Sequence, residues 1–591
     1  MNAFYWLLGM ASMLLVLPAS VVLAESESDK LHRLIDENWE YRLAESPLMA
    51  TRVGDHRAND RLDSLTPQDI ERRTAKTAEF LEQLEAIDRD QLEGDDRIHY
   101  AVMKRELESD LAEDRFKTYL MPINNRSGFH ISFPEIRREV PLVTTEDFEN
   151  YIARLNDFGR YADEHITLMR EGVRQGYTMP SIIMEGSLDS VDAHVVSDPE
   201  RSLMYEPLKQ IPATVPTSEH ERLQQAARAA ISESVVPAYQ RLGQFMRTEY
   251  LPNCRDTIAA RALPDGADFY RFRAVKHTTL DDITPEAIHR RGLDEVKRIR
   301  GEMDEIIKRV GFEGDFQEFV EHLRTDPKFY AKTPEALQQH TALICKRMDG
   351  KLPELFRLLP RTSYGLRPIP DYIAPKTTAA YYQPPAGDGT RAGYYCLNTY
   401  DLPSRPLYML EALSFHESVP GHHLQIALQY ELEDLPEFRK FAGFNVFVEG
   451  WALYSERLGL EVGFYEDPYS DFGRLSMEIW RACRLVVDPG MHYLGWSRQQ
   501  AIDYMAENTA LSMLDIRSEV DRYIGWPGQA VAYKIGELRI RELRALAEAE
   551  LAEKFDIREF HAVVLSSGAV PLDVLEENVR AWVASVKAGS E

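Results

Sequence analysis

The sequence predicts a mainly α-helical protein with a deep cleft and one small β element. Apolar residues recur at helical spacing from Asp29 onward, with few alternating runs. Helix start signals of one kind recur along the chain, while Pro, Gly, Tyr and Thr cluster in a single segment between residues 359 and 406. At 591 residues the chain can bury a large core and wall a cleft, so one or two large domains are expected.

Taken in order, Phe4 to Ala24 is almost wholly apolar and ends in Val22-Leu23-Ala24, a small-residue cleavage pattern followed by Glu25-Ser26-Glu27. Residues 1–24 read as a secretory signal peptide and 25–591 as one exported body, periplasmic or secreted, with room for two lobes around the cleft. No Lys or Arg precedes the apolar run, whose length would also serve an uncleaved anchor; once cleaved, the body has no stable membrane partner. No Cys lies near the cleavage point, which argues against a lipid-modified N-terminus. Leu31-x-x-Leu34-Ile35-x-x-x-Trp39 and the segment 155–169 carry the apolar faces of helices. Thr66-Pro67, Thr284-Pro285 and Thr333-Pro334 each put a capping residue before Pro at the first helical position, with an acidic residue in the first turn. Tyr381-Tyr382-Gln383-Pro384-Pro385 and Asp388-Gly389-Thr390-Arg391 predict turns. Gly393-Tyr394-Tyr395-Cys396-Leu397-Asn398 predicts a brief strand just ahead of a helix over 411–415.

Composition narrows the partners. A formal charge of -27 argues against nucleic acid, whose phosphates demand basic patches. The cysteines, Cys254, Cys345, Cys396 and Cys483, form no C-x-x-C pair, so a cysteine zinc site or redox motif is not expected. Export would permit disulfides, and spacing does not pair them.

The chemistry concentrates in His416-Glu417-Ser418-Val419-Pro420-Gly421-His422-His423, in a chain with only 16 His. Adjacent His and Glu at the end of a helix match the start of H-E-x-x-H, in which two His hold zinc and the Glu activates water. The second His comes late. On an unbroken helix a residue six positions on is turned by about 120°, and one seven on lies about 10 Å along the axis, so neither could share a metal with His416. The helix must break, and Pro420-Gly421 is the pair that breaks it. His422 or His423 is then the second ligand. A third is expected on the next helical segment, 447–456, where Glu449 and Glu456 lie seven apart on one face among apolar residues. Glu449 is the expected ligand, and Glu456 the group that orients a ligating His.

On these residues the chain resembles the bacterial family catalogued as domain of unknown function 885, whose members look like zinc metallopeptidases. The resemblance covers most of the chain after the signal peptide. It includes Tyr270-x-x-Arg273-x-x-x-His277-Thr278-Thr279, Asp388-Gly389-Thr390-Arg391-x-Gly393 and Arg522-Tyr523-x-x-x-Pro527-Gly528-Gln529-Ala530-x-x-Tyr533-Lys534-x-Gly536. More distantly, the order of motifs is similar to that of the thimet oligopeptidase, angiotensin-converting enzyme and thermostable carboxypeptidase group. That likeness implies a large helical metallopeptidase-like fold with the small β element beside the zinc helix. The group's Gly-His pair falls on Gly421-His422, which favours His422 as ligand and leaves His423 beside it, although this chain has two extra residues after Glu417. The Tyr that holds the oxyanion in that group falls on Tyr533, with Tyr523 as a second candidate and His492 in reserve.

The implied reaction is zinc-dependent hydrolysis of a peptide bond, in short peptides or at a C-terminus, with Glu417 as general base. Arg391, Arg522 and Lys534 are candidates to fix a substrate carboxylate. Tyr394 and Asn398 lie on the strand to which an extended peptide would add by main-chain pairing. Two other classes stay open: a zinc hydrolase of a non-peptide or cell-wall amide or ester, and a non-catalytic exported peptide-binding protein. Glu417 argues against the second, since a binding scaffold needs no base beside the metal.

Overall fold

A computed structural model describes residues 25–589 apart from residues 125, 372–373, 375–376 and 387–390. The expected signal peptide and the Asp388-Gly389-Thr390 turn lie outside the described residues. Among the described residues the chain is mainly helical with one small sheet, as the sequence predicts. Thr66, Thr284 and Thr333 each accept the backbone N–H three residues on, with Pro at the first helical position. Among the described residues no helix is long and apolar enough to cross a membrane. All four cysteines are free.

The helices that matter below are α1 (Thr145–Gln175), α2 (Gly266–Thr278), α3 (Pro285–Arg309), α4 (Leu410–Glu417), α5 (His422–Tyr430), α6 (Asn445–Leu458), α7 (Pro468–Pro489), α8 (Met513–Gly525) and α9 (Ala532–Leu551). In α1 the predicted stripe Leu155, Phe158, Ala162, Ile166 and Met169 is buried. Each large apolar side chain so buried contributes about 1.5–3 kcal/mol, which is why the stripe rather than local propensity fixes the helix.

Two large hydrophobic cores share α7. Its Phe472, Leu475, Ile479, Cys483, Val486 and Val487 enter one core with α1 and α8, while Met477 and Leu485 enter the other with α4, α6 and α9. α7 packs along α3 on one side. The candidate site therefore lies on the second core, backed by a helix that the first core holds rigid.

The sheet has the order β1 (Tyr364–Pro368), β3 (Gly393–Leu397), β2 (Ala380–Gln383), with β1 parallel and β2 antiparallel to β3. The predicted strand exists, but it is central. Both its edges are hydrogen-bonded already, so an added peptide cannot pair with it, which corrects the expectation of substrate addition along 393–398.

Candidate metal centre

α4 ends at Glu417 because Ser418 leaves helical geometry (φ -109°, ψ -114°) and Pro420 has no N–H to continue the ladder. The break is held from α6: Trp451 Nε1 donates to the Pro420 carbonyl at 2.9 Å and Ser455 Oγ to the same oxygen at 3.3 Å. A Cβ at residue 421 would stand 2.1 Å from the His416 carbonyl oxygen and 2.3 Å from that of Phe415, so only glycine fits. α5 restarts at His422, whose ring is folded back to 4.7 Å from that of His416, at 83° to it.

Glu449 arrives from α6, which crosses α9 at a point with no side chains. A Cβ on Gly450 would lie 2.5 Å from Gly536 Cα, and one on Gly536 would lie 1.9 Å from the Val446 carbonyl oxygen. This approach brings Tyr533 beside Glu449, whose carboxyl it helps to hold down.

Ligand-type atoms of His416, His422 and Glu449 lie within 4.8 Å of one another. Glu449 Oε2 is 3.5 Å from His416 Nε2 and 3.6 Å from His422 Nε2. Two ligands about 2.0–2.1 Å from a tetrahedral zinc stand about 3.3 Å apart, so the set is the right size. Glu449 Oε2 is buried and has no hydrogen-bond donor, a costly state for a carboxylate that a cation would relieve. His416 Nδ1 donates to Glu456 Oε1 at 2.9 Å, which turns Nε2 toward Glu449, and Arg481 Nη2 holds that Glu456 oxygen at 3.3 Å. The residues fit a zinc-type two-His, one-carboxylate site.

The electrostatics agree. Burial works against the His416 imidazolium, but Glu449 and Glu456 outweigh it and hold its pKa up at about 9. Burial would raise the Glu449 carboxyl, yet the two imidazoles beside it pull it down to about 2. Burial lowers the neighbouring His422 to about 4, so that imidazole stays neutral. Burial, reinforced by the Glu449 and Glu456 charges, pushes Glu417 up to about 7, the range a general base needs.

His423 points the other way. Its Nε2 donates to the Thr362 carbonyl at 3.1 Å, and its Nδ1 accepts from the Tyr382 hydroxyl at 2.8 Å. With both nitrogens engaged, it pins α5 to the sheet rather than facing Glu449. Tyr533 lies beside Glu449 under the Arg484 guanidinium, 4.2 Å from the ring centre. Tyr523 is elsewhere engaged: its hydroxyl donates to Glu519 at 3.0 Å and accepts from Arg484 and Trp480. His492 is fully occupied, Nδ1 by the Ala260 N–H and Nε2 by the Tyr523 carbonyl.

Three substrate-binding expectations need correction. Lys534 is 0% exposed and its ammonium sits among Glu478, Glu537 and Glu295, an internal charge cluster out of reach of a substrate. Asn398 is buried, its amide donating to the Ala374, Thr377 and Thr378 carbonyls. Tyr394 falls on the far face of β3, its ring under Arg367, because strand residues alternate and it is Tyr395 that joins the core with α4. Arg522 is bound to Glu519 and Gln529, while Arg391 stays exposed at the start of β3.

Arg481 and Arg484 were missed, yet a signal existed. Arg474, Glu478, Arg481, Arg484 and Asp488 recur at spacings of four, three, three and four within an apolar segment, and all are buried. A charged line on the apolar face of a helix marks an internal polar network.

Residues 47–579 match the family described as "Bacterial protein of unknown function (DUF885)". A solved structure of a candidate lipoprotein from Colwellia psychrerythraea is similar with a TM-score of 0.87 and 29% identity, over 95% of this chain and 100% of that one. A candidate lipoprotein of unknown function from Shewanella oneidensis shares the fold with a TM-score of 0.67 and 19% identity, over 94% of this chain and 99% of that one. No match is found among curated proteins.

Proposed function

Because the chain belongs to this bacterial family of unknown function, we propose from its site that it is a zinc-dependent hydrolase of peptide bonds exported to the cell envelope. The observation that carries the reading is Glu449 Oε2, a buried carboxylate oxygen with no donor, facing two imidazole Nε2 atoms at 3.5 and 3.6 Å. Zinc held by His416, His422 and Glu449 would supply Lewis acidity and a water of lowered pKa. The rest falls to the protein's own side chains. Glu417 takes the proton of the attacking water and hands it to the leaving amine. Tyr533 donates a hydrogen bond from its hydroxyl to the oxygen on which negative charge develops. Glu456 keeps the His416 ring oriented. Preference for peptides over other amides or esters rests on the resemblance to the helical metallopeptidases. The lipoprotein description of the Colwellia structure, together with the apolar run from Phe4 to Ala24, supports an exported or envelope location.

The test is metal analysis joined to a substrate screen. About one zinc per chain is expected from the three-ligand site. Short peptides, acyl amino acids and wall fragments would be incubated with the protein and read by mass spectrometry. Peptide cleavage that Glu417→Gln abolishes without loss of metal supports the reading; near-normal turnover in that variant sinks it. Turnover confined to acyl amino acids or wall fragments would change the substrate class.

A further inference from the structure

Tyr270, Arg273 and His277 lie three and four residues apart on α2, so they share one face, and all three are buried. The proposed chemistry gives them no part. That face touches two segments that lead into the site. The first is the turn before α9. Asp488 Oδ1 accepts from the Tyr270 hydroxyl at 2.5 Å and from the Gly528 N–H at 3.1 Å, while Arg273 Nε donates to the Pro527 carbonyl at 3.2 Å. Gly528 adopts φ +79°, and a Cβ there would stand 3.0 Å from Arg273 Cβ, so this backbone lies flat against α2. Tyr533 follows five residues later.

The second segment is the start of α6. Arg273 Nη2 donates to His277 Nε2 at 2.7 Å, and His277 Nδ1 lies 3.2 Å from the side-chain amide of Asn445, the first residue of α6. Glu449 stands one turn further on. Arg273 Nη1 donates to Glu113 at 2.7 Å, which ties the fork to the helix Asp95–Arg115.

The Gly450–Gly536 crossing sets how close α6 and α9 come, and side chains of both helices meet in the second core. The α2 contacts add an anchor just ahead of each site residue, at Asn445 before Glu449 and at Pro527-Gly528 before Tyr533. We propose that α2 is a positioning clamp that sets the place of Tyr533 beside Glu449, with Tyr270 and Arg273 as its positioning residues; the role in turnover rests on the hydrolase reading above. A planar guanidinium suits the task, because its rigid fork directs donors at once to Pro527, to Glu113 and to His277 on its own helix, which an ammonium cannot do.

The experiment compares zinc-loaded wild type with Tyr270→Phe, Arg273→Lys, Tyr533→Phe and the Tyr270→Phe/Tyr533→Phe double variant on a peptide the wild type cleaves. Tyr270→Phe is expected to lower kcat about tenfold with KM and zinc content unchanged, since a misplaced donor loses part of what a deleted one loses. Arg273→Lys should lose at least as much. The double variant should be no slower than Tyr533→Phe alone, because both changes act through one hydroxyl. Losses that multiply, or a rise in KM alone, would overturn the clamp. If the wild type cleaves no peptide, the hydrolase reading fails, and amide exchange decides the clamp separately. Tyr270→Phe must then speed exchange across residues 525–536 while α1 stays unchanged; unaltered exchange there would overturn it.

Discussion

At the start of α5 two adjacent imidazoles face opposite ways, and each orientation has a cause. His422 is turned toward His416 by the break at Pro420-Gly421, whereas the Thr362 carbonyl and the Tyr382 hydroxyl hold His423 against the sheet. His422→Ala is expected to lose the metal. His423→Ala should keep it and cost about 1–3 kcal/mol, because two half-buried groups lose their partner. Metal analysis with thermal unfolding checks both, and the opposite pattern reverses the assignment. Lys534 calls for a different readout. Removing the ammonium in Lys534→Met leaves Glu295, Glu478 and Glu537 short of a buried cation, expected to cost about 3–5 kcal/mol with KM unchanged in the folded fraction. A raised KM at normal stability would return Lys534 to the substrate.

At the scale of elements, the site depends on one break and one crossing. In Gly421→Ala the new methyl meets two carbonyl oxygens, so the start of α5 must move and carry His422 away from His416. Loss of zinc with most of the fold intact is the expected result, read by metal content beside circular dichroism. In Gly450→Ala the methyl meets the α9 backbone, which should cost about 1–3 kcal/mol or more by overpacking and part Glu449 from Tyr533. Activity should then fall further than stability accounts for, and a variant with normal kcat would show that the crossing does not set the site. The helices with Thr-Pro starts were legible residue by residue, because cap and first turn are local. The central place of β3 was not, because its neighbours come from about 30 residues before it and from beyond a turn, and no local pattern names them.

For the whole molecule, the core around α1 holds an acid-sensitive element. His165 stacks on Phe129 at 4.0 Å and neither of its ring nitrogens has a partner. Burial lowers His130, His165 and His194 to about 4, 3 and 4. These groups stay neutral when folded but protonate near pH 6.5 when unfolded, so the stability they lend is complete above that pH and is lost as pH falls toward 4. Each such proton can cost up to about 1.4 kcal/mol per pH unit. His165→Phe keeps the stacked shape and removes one titrating group, so its Tm should fall less between pH 6.5 and 4 than that of the wild type. Parallel Tm curves would show that His165 is not part of the acid response.

The sequence by itself determined the helical class, the capped starts, the segment that holds the β element and the cluster His416 to His423 with Glu449, because periodicity, caps and rare residue types are written locally. Spacing also required the helix to break between His416 and the second His. Only the tertiary structure decided which way each imidazole faces, that Lys534 and Asn398 are spent inside the fold, and that Tyr533 rather than Tyr523 stands beside Glu449. Those outcomes depend on partners more than 30 residues distant in most cases, such as Thr362 for His423 and Gly536 for Gly450. A side chain's role is fixed by what occupies its other hydrogen bonds, and in this chain those occupants are brought by helices that meet only when the two cores close on α7.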